Sequence, residues 1–148
     1  MVAELRRRGL KAFDADDDGF SEDRGSGRWG WRRERVEELL GHHDDGLVFF
    51  AGCSEEQAQI RFDTRILLTV PEDVLIERLR SRTTNSYGST ETERRQILSD
   101  RVEIEPLLRR SADLVLDTTA TTSVLADVIV GHVRPGESPS GRTQANAD

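Results

Sequence analysis

Two short stretches of this chain are almost continuously apolar, with Thr69 the one polar residue in them. Leu47-Val48-Phe49-Phe50-Ala51 leads into Gly52, and Ile66-Leu67-Leu68-Thr69-Val70 is closed by Pro71. Short continuous runs of this kind, without alternation, predict strands covered on both faces, as in a parallel sheet. After the second run the period changes. Pro71-Glu72-Asp73 opens a helix, because proline suits the first turn and acids favour its N-terminus; Val74, Leu75 and Leu79 then share a face. A longer helix is predicted over about 91–110 from Ile97, Leu98, Val102, Ile104 and Leu108, then a short strand at Leu114-Val115-Leu116 and a last helix over 122–133.

Upstream, Val2–Gly9 reads as the back half of a helix. Leu5 supplies an apolar contact, Arg6, Arg7 and Arg8 fill the last turn, and Gly9 stops it. No capping residue precedes it, so the expectation is a chain that enters in mid-element. A strand at 11–15, an acidic turn at 16–19 and a Gly- and Ser-rich loop over 20–28 follow. A helix is predicted over about 30–41, with Trp31, Leu39, Leu40 and the Arg35 stem on one face. Residues 54–62 read as a short polar helix or loop, and 82–90 as a loop containing Asn85, Tyr87 and Gly88. There is no internal repeat. Apolar strands each followed by a helix predict an α/β fold: a parallel β-sheet with helices on both faces over 1–133. The Pro-, Gly- and Ser-rich residues 134–148 read as a disordered tail.

Composition then removes function classes. The 148 residues suit one domain, and a net charge of −7 argues against general nucleic-acid affinity. No run approaches the roughly 18 apolar residues of a membrane-spanning helix, so no membrane partner is expected. A single cysteine, Cys53, excludes an intrachain disulfide and makes a cytoplasmic setting the expectation.

Ligands of parallel sheets bind beyond the carboxyl ends of the strands. Here those ends carry Asp14 and Asp16, Gly52 and Cys53, Val70 and Pro71, and Asp117, Thr118 and Thr119. Asp14 and Asp16, two apart on a strand, project to one side. That suits a hydrated Mg²⁺ beside a substrate hydroxyl, or simply a solvated acidic turn. Asp14 to Gly19 also looks like a calcium loop, but Gly25 stands where its glutamate belongs. Arg78, Arg80 and Arg82 before a glycine-bearing loop, with Arg94 and Arg95 after it, suit a lid closing on phosphates or a solvated face of paired charge. Trp29 and Trp31 either cap a pocket or pack a peripheral helix. Cys53 has no histidine placed to activate it, and His42 and His43 sit in a turn that announces no further metal ligands. Asp117-Thr118-Thr119 lines a base pocket or caps the helix after it.

Taken in order, E-L-R-R-R-G (4–9), F-D-A-D-D-D-G (13–19), R-W-G-W-R (28–32), Gly52-Cys53, L-L-T-V-P (67–71), R-T-T-N-S-Y-G (82–88), E-P-L-L-R-R (105–110) and D-T-T (117–119) resemble the P-loop small-molecule kinases of the shikimate kinase/adenylate kinase type. Bacterial AAA-family ATP-binding proteins are the nearer resemblance. It implies ATP and Mg²⁺ as cofactors and phosphoryl transfer to a small-molecule acceptor. Asp14 would join the magnesium shell, and Asp16 would orient or deprotonate the acceptor hydroxyl. Gly52 would let backbone approach the substrate, and Arg82 with Arg94 or Arg95 would clamp phosphates. Thr118 and Thr119 would border the nucleotide base. The family's first strand and its G-x-x-x-x-G-K-[ST] loop have no counterpart in these residues, and Lys11 is the only lysine. The resemblance therefore implies a start placed too late, a poor ATP binder, and a gap in the sheet between the strands at 47–51 and 65–70. The competing expectations are a non-catalytic relic or interaction protein that keeps the sheet, and an Asp-rich metal-binding module.

Overall fold

The computed structural model describes residues 1–42, 46–82 and 88–134. His43, Thr83, Thr84, Asn85, Ser86, Tyr87 and the expected tail from 135 on lie outside them. The chain divides into two units, Met1–Arg65 and Ile66–Asp148.

The first unit begins with α1 (Val2–Arg7), whose N-terminus carries no side-chain cap, and then β1 (Lys11–Asp14). Gly9, at φ +78°, makes the reversal between them, a conformation only glycine adopts cheaply. Next comes an antiparallel hairpin, β2 (Ser21–Asp23) with β3 (Trp29–Trp31), pairing Glu22 with Gly30. Then α2 (Arg33–Gly41), β4 (Val48–Ala51) and a single 3-10 turn at Glu55–Ala58 complete the unit. β1 pairs with β4 in parallel, Lys11 opposite Val48 and Asp14 opposite Ala51.

The hairpin replaces the loop expected over 20–28, and α2 starts three residues later than the sequence predicted. Gly25, Ser26 and Gly27 all take positive φ, which turns the chain back on itself, and the Arg24 amide donates to the Arg28 carbonyl at 2.8 Å. Trp31 is thus a strand residue. Trp29 and Trp31 are two apart and so share a side of β3; Trp31 is buried against Phe50 and Gly52, while Trp29, at the loop end of the hairpin, is 68% exposed. The buried residue of α2 is Val36, which the sequence reading did not single out. Ala15, Phe20, Trp31, Val36 and Ile60 form the core of this unit, flanked by Phe13, Leu39, Leu40, Phe50 and Phe62. Phe50 is its pivot: Trp31 and Phe20 meet it edge-on at 5.0 and 5.3 Å between ring centroids.

The second unit runs β5 (Ile66–Thr69), α3 (Glu72–Ser81), α4 (Glu91–Ser111), β6 (Leu114–Asp117) and α5 (Thr122–Val133). β5 and β6 pair in parallel, Ile66 opposite Leu114 and Thr69 opposite Asp117. Pro71 is the N-cap of α3 rather than a first-turn residue. α4 opens with a full capping box. Thr90 accepts from the Glu93 amide, and Glu93 accepts from the Thr90 amide at 3.1 Å. α5 is likewise capped by Thr121, and it buries Leu125, Ala126 and Ile129.

The architecture is therefore mixed α/β with parallel pairing, as expected. Among the described residues it forms two separate two-stranded parallel sheets and one hairpin rather than a single continuous sheet.

Two substitutions test this account. A Cβ added at Gly52 would lie 2.8 Å from the Ala15 Cβ and 2.9 Å from the Trp31 ring. Gly52→Ala is therefore expected to lower unfolding free energy by about 1–3 kcal/mol in urea titrations, and an unchanged midpoint would reject the packing. Thr90→Ala should cost roughly 1 kcal/mol through the lost cap, read as reduced helicity on heating, and Thr90→Ser should restore it.

Candidate functional site

At the end of β1 the acidic run folds on itself. One oxygen of Asp14 accepts from the amides of Asp16 and Asp17 at 3.0 and 3.2 Å. Asp18 accepts from the Asp14 amide and from Arg6, both at 2.6 Å. Asp16 accepts from the Ser21 hydroxyl at 2.6 Å. This is a carboxylate-capped turn. The Asp14 amide and then Arg6 hold the Asp18 carboxyl below its usual range. Oδ2 of Asp14 has no partner among the described residues. Asp14 closes β1 and Asp16 lies in the turn after it, so the two are not same-side residues of one strand; each has one oxygen engaged by the turn. Among the described residues no group of three or more His, Cys, Asp or Glu could hold a metal. Magnesium beside a nucleotide takes only one or two protein carboxylates, so Asp14 fits that shell as one ligand and no more.

At the end of β4, Gly52 lies against Ala15 and Trp31, so its missing side chain is accounted for by packing. Cys53 is exposed, and desolvation of its thiol pushes its pKa up, away from a nucleophilic thiolate. Beside it lies a network the sequence did not announce. Glu56 accepts from the Ser54 hydroxyl and from the Trp31 amide, and pairs with Arg24 at 3.1 Å. Arg24 in turn donates to the Trp31 carbonyl at 2.9 Å. These bonds fasten β3 to the 3-10 turn, and the Ser54 hydroxyl bond above all lowers the Glu56 pKa.

In the second unit the end of β6 is clamped by α3. Arg78 donates to the Thr118 hydroxyl at 3.0 Å and to the Thr118 carbonyl at 2.7 Å. Thr118 also donates its amide to the Thr69 carbonyl at 2.7 Å, and Asp117 accepts from the Thr119 amide at 2.8 Å. Thr118 is half-buried and Thr119 exposed just past the end of β6.

The arginines expected to converge do not share one task. Arg82 is the exposed C-cap of α3. Arg94 donates to the carbonyls of Gly88 at 3.2 Å and Ser89 at 2.5 Å, fixing the entry to α4. Arg95 makes a surface ion pair with Glu91 one helical turn away. A phosphate clamp would compete with the bonds that Arg94 and Arg95 already make. Lys11, the only lysine, stands at the start of β1, away from the strand ends.

The second unit also has a concave surface. A groove of about 250 Å³ is lined by four consecutive β5-side residues, Leu67–Val70, and by Ile97, Asp100, Arg101, Ile104, Glu105 and Leu108 of α4. Successive strand residues face opposite ways, so a groove touching four in a row runs along the strand's edge. Arg101 donates to Glu105 at 2.6 Å through Nε, while its buried Nη1 has no partner. An unpaired buried donor is costly and calls for an acceptor.

No family model matches the chain, and no curated protein matches it. Among the described residues no helix is long and apolar enough to cross a membrane.

The carboxylates set an acid dependence. Asp18, Glu56, Glu93, Glu105 and Asp117 are all held below the usual range, and the Arg7 and Arg8 hydrogen bonds bring Glu4 to about 2. Depressed carboxyl values give stability that is complete above the unfolded pKa, near 4, and is lost as pH falls through the folded values. Urea midpoints should hold level from neutrality to roughly pH 5 and fall below that. Asp18→Asn should lower the neutral midpoint and flatten the acid decline; an unaltered decline would exclude Asp18 as a contributor.

Proposed function

We propose that these residues are part of a P-loop, kinase-like domain whose complete form binds Mg-ATP and phosphorylates a small acceptor. The chain as given would then bind nucleotide weakly or not at all. The observation that carries this reading is the state of β4 and β5. Apart from Thr69 they are apolar, the pattern of central positions in a covered parallel sheet, yet among the described residues each has only one strand neighbour. The groove along the β5 edge has the lining and the unsatisfied donor expected beside a further strand. In the kinases this chain resembles, a strand and the phosphate-binding loop after it precede a helix like α1.

In that complete form Asp14 would serve the magnesium shell through its unengaged oxygen. Asp16 would orient the acceptor hydroxyl, and Thr118 and Thr119, steadied by Arg78, would border the base. Bound ATP would supply the transferable phosphoryl group. The chain's own groups would position the acceptor and hold or accept its proton at Asp16. Arg82 would be available to phosphate without breaking any bond described above; Arg94 and Arg95 would have to exchange partners.

A second reading is favoured by the same groove: a non-catalytic interaction module whose β5 edge is completed by another polypeptide through main-chain hydrogen bonds.

Thermal shift with Mg-ATP separates the two. The 148-residue chain is compared with a version extended upstream in its reading frame. A site filled to 100 times its dissociation constant stabilises by about 2.7 kcal/mol. The expected result is a raised midpoint in the extended version only. If neither version responds, the nucleotide reading falls and the interaction module takes its place. In a responsive extended version, Asp16→Asn is expected to lower phosphoryl transfer by roughly 10²–10⁴-fold, the range for loss of a general base, with Mg-ATP stabilisation unchanged. Unimpaired transfer would remove Asp16 from the reaction.

A further inference from the structure

No further inference is drawn: the strongest candidate, the apolar groove between the β5 edge and the Ile97–Leu108 face of α4, already serves the reading proposed above, and nothing in the structure shows any other occupant.

Discussion

A parallel β-strand carries hydrogen-bonding groups along both of its edges, and among the described residues the strand pairing of β4 and β5 uses only one of them. Everything else about this chain depends on that constraint. A two-stranded ribbon is marginal in water, and parallel pairing is slightly weaker per residue than antiparallel. Each pair here therefore leans on its helices and aromatic contacts. In the first unit Phe50 of β4 gathers Phe20, Trp31 and Phe62 around it. In the second, the carboxyl ends of the strands are tied by Arg78 and by the Thr69–Thr118 bond. Exposed apolar edges are also templates for pairing with other chains, which natural sheets suppress with charge, proline or cover. Neither Val48–Ala51 nor Ile66–Thr69 carries a charged or proline residue.

The polar groups at the strand ends are spent largely on holding backbone. Asp14 and Asp18 cap the turn after β1, Asp117 caps the turn after β6, and Glu93 with Arg94 secures the start of α4. These duties need not exclude chemistry. Carboxylates anchored by amides are rigid, and a rigid oxygen makes a better ligand or base than a mobile one. The duties do limit how many groups are free to meet a ligand. The second oxygens of Asp14 and Asp16 and the guanidinium of Arg82 are among the groups that none of the bonds described above engages.

Much of the fold was legible in the sequence because its signals were local. Continuous apolar runs located β4 and β5, Pro71 with two acids marked α3, and the 122–133 pattern matched α5 to the residue. The β2–β3 hairpin was not legible, because its register depends on three successive positive-φ residues at 25–27, and Ser26 is not a residue that advertises one. Val36 escaped for a similar reason. Trp31 was placed on the helix, which rotated the expected face away from it. At the strand ends, the sequence located Asp14 at the close of β1 and Asp117 at the close of β6. It could not reveal the clamp from Arg78, forty positions from Thr118, or the bond from Trp31 to Glu56. Nor could it show that Arg94 and Arg95 were already occupied, since arginine identity says nothing of which acceptor lies within reach.

The unequal burial of the two tryptophans on β3 has a consequence for how the molecule reports on itself. Trp29 and Trp31 are the chain's only tryptophans, one in solvent and one in the core, and both belong to the first unit. Indole emission from this protein is thus a two-environment signal that arises wholly within Met1–Arg65, whereas helical circular dichroism is weighted towards α3, α4 and α5. The two spectra observe different halves of one polypeptide. Whether their melting curves coincide is a direct readout of thermodynamic coupling between the units, obtained without a label or a substitution.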